Sequence, residues 1–357
     1  MDSTGLYINL FRFLISINLA KTLNTHTQDK VSVRIPTLAD ILNARRNVDR
    51  YLKRTPLIYS RRLSRVLGFD TYLKLENLQP VRSFKVRGGV HFMVSMLDEA
   101  LRRGVITAST GNHAQSIAYA GSILGVQVKI VMPSNAPQNK VEAVRELGAE
   151  VIHYGAYYEE AREYSEMLAE RYGHLYVHGI NEPLLYEGVG TMHLEILEEM
   201  PYIDAVINPI GGGSGAGSAV IVYKSVNPRI RIYGVQAEGA PAFYHSWKTG
   251  SIVRAEARTK AEGLATSMGY ELPLRIMSNR IDDVVLVSDR EMMAAVKTLL
   301  EATGQLAELA GAASTAAAFK IRDRLQGLKI ALNLTGGNLP MEMLDNILQS
   351  EYSGVGD

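Results

Sequence analysis

Short apolar segments that run through a polar or glycine-rich loop into a helix-spaced segment recur along this chain. That alternation constrains the fold more than any single residue does. VITAS leads through TGNH into AQSIAYAGSILG, and VQVKIVMP leads into NKVEAVRELG and on to AEVIHYG. After a long helical stretch over residues 186–200 the order resumes as DAVINPI, GGGSGAG, SAVIVYKSV and RIYGVQAE, with KIALNLTGG near the end. Strands alternating with helices of about 10–15 residues predict right-handed βαβ units and mostly parallel sheets. Upstream, Thr37 is placed to cap a helix over LADILNARRNVDRYL, TYLKL alternates like a strand, and Ser83 is placed to cap a helix through FKVRGGVHFMVSML. The 357 residues suffice for about two domains, and no fixed-period repeat or low-complexity linker interrupts them.

Composition removes several classes of function. Lys and Arg number 38 against 37 Asp and Glu, so the balance gives no reason to expect nucleic acid or an anionic membrane surface as partner. With no Cys, a disulfide framework, a thiolate zinc site and a Cys nucleophile are all excluded, and a cytoplasmic location is expected. Residues 6–20 (LYINLFRFLISINLA) are apolar, but Arg12 interrupts them and they fall short of the ~20 residues a membrane span needs. No basic run precedes them, as a secretory signal would require. Residues 1–35 are therefore expected to be a disordered extension.

In open parallel sheets, ligands bind beyond the carboxyl ends of the strands. Loops at 110–113, 211–217 and 335–338 all follow apolar strand-like segments. The first five residues of GGGSGAG are Gly211, Gly212, Gly213, Ser214 and Gly215, between a strand and a helix. Small residues there let backbone N–H groups face one concavity at a helix N-terminus, a natural seat for an anion such as a phosphate. The spacing fits neither GxxxxGK[ST] nor GxGxxG with its later acid, which favours a small phosphate ester over a nucleoside triphosphate or dinucleotide. Lys85, in the first turn of its helix, would ordinarily be a solvated charge. The positive end of a helix disfavours a cation, however, and a lowered pKa suits an amine that forms a Schiff base.

Five motifs in order, ENLQP…SFKVRGG, STGNHAQS, MPSNAPQNKVEAVRELGAEV, GGGSGAG and LTGGN, resemble the pyridoxal-phosphate enzymes of the tryptophan synthase β fold type (fold type II). The closest resemblance is to the threonine/serine dehydratase and serine racemase branch, over about residues 37–348. It implies an α/β fold of two domains, each a mostly parallel sheet flanked by helices. The large cofactor-binding domain would be 36–102 with 180–350, and 103–179 a small domain that closes over substrate. On the same basis the cofactor is pyridoxal 5′-phosphate and the protein a homodimer or homotetramer acting on a small amino acid. Lys85 matches the lysine that holds the cofactor, with Phe84 preceding it. Asn112 matches the residue bonded to the ring hydroxyl, Gly211 to Gly215 the loop around the phosphate, and Thr335 the hydroxyl facing the pyridine nitrogen. Ser109, Thr110, Gly111, Asn112 and His113 match the substrate-carboxylate loop, and Glu308 a glutamate near the site.

The reaction implied is β-elimination, L-threonine or L-serine giving 2-oxobutanoate or pyruvate with ammonia. Alternatives are a serine racemase, a dehydratase of a bulkier or acidic β-hydroxy amino acid, and a non-catalytic binder of amino acid or cofactor. Thr110 stands where racemases carry a serine that acts as acid or base; it keeps the hydroxyl and adds a methyl, so racemisation is less expected. Gln236 and Ala242 stand where racemase-type members carry carboxylates, so no divalent-cation site is expected there. Glu195, Glu198 and Glu199 read as the wet face of a helix, and His174 and His178 as strand residues rather than a metal pair.

Overall fold

The structure, a computed structural model, describes residues 33–350. The apolar segment 6–20, and the extension 1–35 except its last three residues, lie outside the described residues. Ten strands form two sheets: β1 (Leu57–Tyr59), β2 (Asp70–Leu75), β3 (Val105–Ala108), β4 (Val128–Met132), β5 (Glu150–His153), β6 (Leu175–Tyr176), β7 (Ala205–Pro209), β8 (Arg231–Ala237), β9 (Asp283–Val287) and β10 (Lys329–Leu334). One sheet has the order β1-β2-β10-β7-β8-β9, the other β5-β4-β3-β6. Apart from the antiparallel edge pair β1 and β2, all their pairings are parallel. This is the α/β arrangement of mostly parallel sheets that the resemblance implies.

Parallel strands are covered on both faces, which is why they read as near-continuous apolar runs. Every residue of β3 (VITA) and β7 (AVINP) is buried. Among the described residues, no helix is long and apolar enough to cross a membrane. Thr37 caps its helix in a full capping box, its hydroxyl accepting from the Asp40 N–H. Ser83 stands one residue before the N-cap position of the next one, where its hydroxyl accepts from the Lys85 N–H at 3.4 Å. Its backbone is engaged in an antiparallel bridge to Gly336, and the helix Lys85–Ser95 starts from Phe84, whose own side chain makes no cap bond.

The reading of Glu195 as solvent-facing is wrong. The helix Pro183–Glu199 is buried on nearly all sides through Ile196. Glu198 and Glu199 do remain at the surface, but Glu195 is only 2% exposed. It pairs with Lys74 and Arg87, each at 2.7 Å, and Arg87 pairs with Glu76 at 2.8 Å. Lys74 and Arg87 are fully buried cations, and charges in that setting persist only when paired. Thr55 completes the cluster by donating its hydroxyl to Glu76 across 2.5 Å. The cluster fixes the Lys85 helix from behind, through Arg87, to the end of β2 and to the Pro183–Glu199 helix.

Candidate active site

Lys85 is the first residue of its helix, and the two glycines that follow determine how closely other helices approach it. A Cβ on Gly88 would come within 2.8 Å of the Leu185 carbonyl, and one on Gly89 would collide with Ser116. Without those atoms, the helices Pro183–Glu199 and Asn112–Leu124 pack directly on the Lys85 helix. Ser116 then donates its hydroxyl to the Lys85 carbonyl at 2.7 Å. On the other side, the Phe84 N–H donates to the Thr335 carbonyl at 3.1 Å, joining the start of this helix to the end of β10.

The amine of Lys85 enters a cavity of about 470 Å³. Its walls include Phe84 and Lys85, the loop from Ser109 to His113, Gly211 to Gly215, Glu308 and Thr335. Structure therefore brings together every site residue that the sequence singled out. Lys85 Nζ donates to Ser214 Oγ at 2.9 Å and lies 5.2 Å from the centre of the Phe84 ring. Burial pulls its pKa down from 10.5 to about 8. The cause is thus desolvation, where the sequence suggested the helix end.

The glycine turn is held open by sterics. A Cβ on Gly211 would strike the Gly263 carbonyl, and one on Gly212 would lie 2.7 Å from Ile180. Gly213 has φ +90°, left-handed, and its Cβ would lie 2.6 Å from Pro273. The helix Ser214–Val226 starts immediately after, leaving its first N–H groups without intrahelical partners beside the cavity.

Asn112 opens the helix Asn112–Leu124. Its Oδ1 accepts from Asn338 at 2.7 Å, and its Nδ2 donates to Glu308 Oε1 at 2.6 Å. Burial pushes the Glu308 carboxyl up to about 7, the Asn112 bond partly opposing it. His113 donates from Nε2 to Thr107 Oγ1 at 3.1 Å, since that hydroxyl already donates to the Val177 carbonyl. Burial, with Lys85 and His178 nearby, pulls its pKa down to about 3, so the ring is neutral.

Wall residues that the sequence did not single out include Lys140, Tyr158, Glu262 and Tyr270. Lys140 pairs with Glu262 at 3.0 Å, linking the helix Gln138–Glu146 to the turn Glu262–Leu264. Lys140 and Asn338 lay inside quoted motifs and could have been found there. Tyr158 and Tyr270 are brought in by tertiary folding alone.

Residues 48–336 match the family profile described as pyridoxal-phosphate dependent enzyme. The chain belongs to that family. Among relatives of this pyridoxal-phosphate enzyme, the L-threonine ammonia-lyase of Thermotoga maritima is 39% identical over 313 residues, 87% of this chain and 78% of the relative. The solved structure of the processed form of threonine deaminase isoform 2 from Solanum lycopersicum has a TM-score of 0.83 at 32% identity, covering 91% of this chain and 98% of that one. Maize serine racemase also has a TM-score of 0.83, at 31% identity over 88% of this chain and 97% of that one.

The residues present fit the family's cofactor. An amine with a lowered pKa suits an aldehyde, and a turn in which side chains are sterically refused suits a phosphate.

Proposed function

We propose that this enzyme removes ammonia from L-threonine or L-serine by way of dehydration, yielding 2-oxobutanoate or pyruvate. The observation that carries this reading is the presence of the Lys85 amine and the Gly211–Gly215 turn in one cavity. When bound, pyridoxal phosphate supplies an electron sink for the substrate's α-carbon. Lys85 is the residue that would hold it covalently. Its amine, once free, would take the substrate's α-proton, and hydroxide would leave Cβ with a proton, as water. Water returning at Cα releases ammonia, so the net change is loss of ammonia.

The other residues take supporting roles in this reading. Backbone N–H groups of the Ser109–His113 loop, at the start of a helix, hold the substrate carboxylate. Asn112 is oriented by Asn338 and Glu308, and its second amide proton is the donor assigned to the cofactor's ring hydroxyl. Thr335 offers only a neutral hydroxyl to the pyridine nitrogen, a weaker aid to charge delocalisation than a carboxylate. That favours prompt expulsion of a β leaving group. Residues 103–179 act as a small domain closing on 36–102 and 180–350, which excludes water. Cytoplasmic residence and a homodimer or homotetramer go with the same reading, tested by fractionation and light scattering.

Mixing the purified chain with L-threonine and with L-serine tests the proposal. A change in visible absorbance together with 2-oxo acid release is expected, and absorbance change without oxo acid refutes the elimination. Serine racemisation is the second reading: Thr110 keeps a hydroxyl in the same cavity as Lys85, while its added methyl disfavours that reaction. It requires D-serine to appear faster than pyruvate.

A further inference from the structure

The turn assigned to the cofactor's phosphate is held from behind by a histidine that does not line the cavity. His193 is fully buried on the helix Pro183–Glu199, and its Nε2 lies 3.0 Å from the Gly215 carbonyl. A carbonyl can only accept, so Nε2 carries the proton. Burial pulls this imidazole down to about 4 and keeps it neutral, which leaves Nδ1 as an acceptor. The buried Tyr223 hydroxyl donates to it at 3.3 Å, with the two rings edge to face at 5.3 Å. One face of the same helix carries Tyr186, seven positions earlier, whose hydroxyl makes a longer 3.4 Å contact to the Gly212 carbonyl.

In a trans peptide the carbonyl of one residue and the N–H of the next point in opposite directions. A carbonyl drawn back toward the buried helix therefore presents the following N–H to the other side. The two carbonyls drawn back belong to Gly212 and Gly215, so the N–H groups concerned are those of Gly213 and Ala216. We propose that His193 is a positioning residue for the phosphate turn, its Nε2–H fixing the Gly215 peptide so that the turn's N–H groups stay aimed at the anion, with Tyr186 assisting at Gly212. This rests on the reading that the turn holds the cofactor's phosphate.

The test compares binding of pyridoxal 5′-phosphate and of phosphate-free pyridoxal to the full-length chain freed of cofactor, for wild type, His193→Leu and His193→Gln. A net hydrogen bond of this kind corresponds to about tenfold in affinity. His193→Leu should lose about that factor for the phosphate ester and little for pyridoxal. In the phosphorus NMR spectrum of the loaded protein, its phosphate signal should shift. His193→Gln, which can again donate from a nitrogen at the same depth, should recover most of the affinity and the signal position. Equal losses for both ligands, or a Gln variant as poor as the Leu variant, overturn the proposal. If His193→Leu does not fold, Tyr186→Phe removes a single hydroxyl. It should weaken the phosphate ester selectively, and no selective loss counts against the proposal. A wild type that binds both ligands alike overturns instead the assignment of the turn to phosphate.

Discussion

Lys85 and Ser214 are each the first residue of a helix, and the amine of one donates to the hydroxyl of the other across 2.9 Å. The Lys85 amine and the Gly211–Gly215 turn are thus positioned by two helix starts that share one hydrogen bond. A molecule with an aldehyde at one end and a phosphate at the other spans that arrangement.

The lowered pKa of Lys85 has a kinetic consequence. Below about 8 the amine is protonated and unreactive toward an aldehyde, and above it the amine is free. The rate of cofactor attachment to the cofactor-free chain should rise with pH through about 8 and then level. An ordinary lysine at 10.5 would keep rising well beyond that. Stopped-flow absorbance between neutral and alkaline pH distinguishes the two curves.

Glu308 should make the cofactor-free chain less stable as pH rises. Its folded value of about 7 stands above the ordinary 4.5, so in that window the folded chain holds a proton that the unfolded chain releases. Stability that this group contributes at low pH is lost as pH climbs through the window. Glu308→Gln removes the dependence, so its melting temperature relative to wild type should increase from pH 5 to pH 8. A constant difference would mean that the carboxyl titrates normally.

Gly213→Ala should weaken binding of the phosphate ester by at least about tenfold, because strain of about 1–2 kcal/mol at a left-handed φ adds to the approach to Pro273. Equilibrium titration of the cofactor reads this directly. Unchanged affinity would show that the turn tolerates the extra carbon by moving.

Removing Arg87 should cost far more than a surface charge does. Arg87→Met leaves Glu76 and Glu195 buried without their main partner, and breaking such a pair costs about 3–5 kcal/mol. Urea unfolding of the two proteins measures it. A loss under about 1 kcal/mol would mean that the carboxylates reach water or take up protons without penalty.

The strand-and-helix alternation and the motif loops were legible because each is local: periodicity and glycine placement act within about ten residues. The three loops could be assigned to one place because parallel sheets bring strand ends together. Glu195 was misread for the opposite reason. Its partners Lys74 and Arg87 lie more than a hundred residues earlier, and a carboxylate on a helix looks the same in sequence whether its neighbour is water or a buried cation. Ser83 does bond the first N–H of the Lys85 helix, but its backbone bridge to Gly336, far along the chain, had no local signal. Tyr158 and Tyr270 carry no spacing signal at all, and only the folded walls of the cavity disclose them.

β10 lies between β2 and β7 in the six-stranded sheet, although it is the last strand of the chain. On a ribosome, β2 and β7 emerge long before the strand that joins them, and they cannot complete the sheet until residue 334 is out. Phe84 acquires its bond to Thr335 only then, so Lys85, next to it, gains this support only after residue 335 has been made. A nascent chain cut short before β10 would carry every glycine of the Gly211–Gly215 turn and still lack the strand that joins β2 to β7.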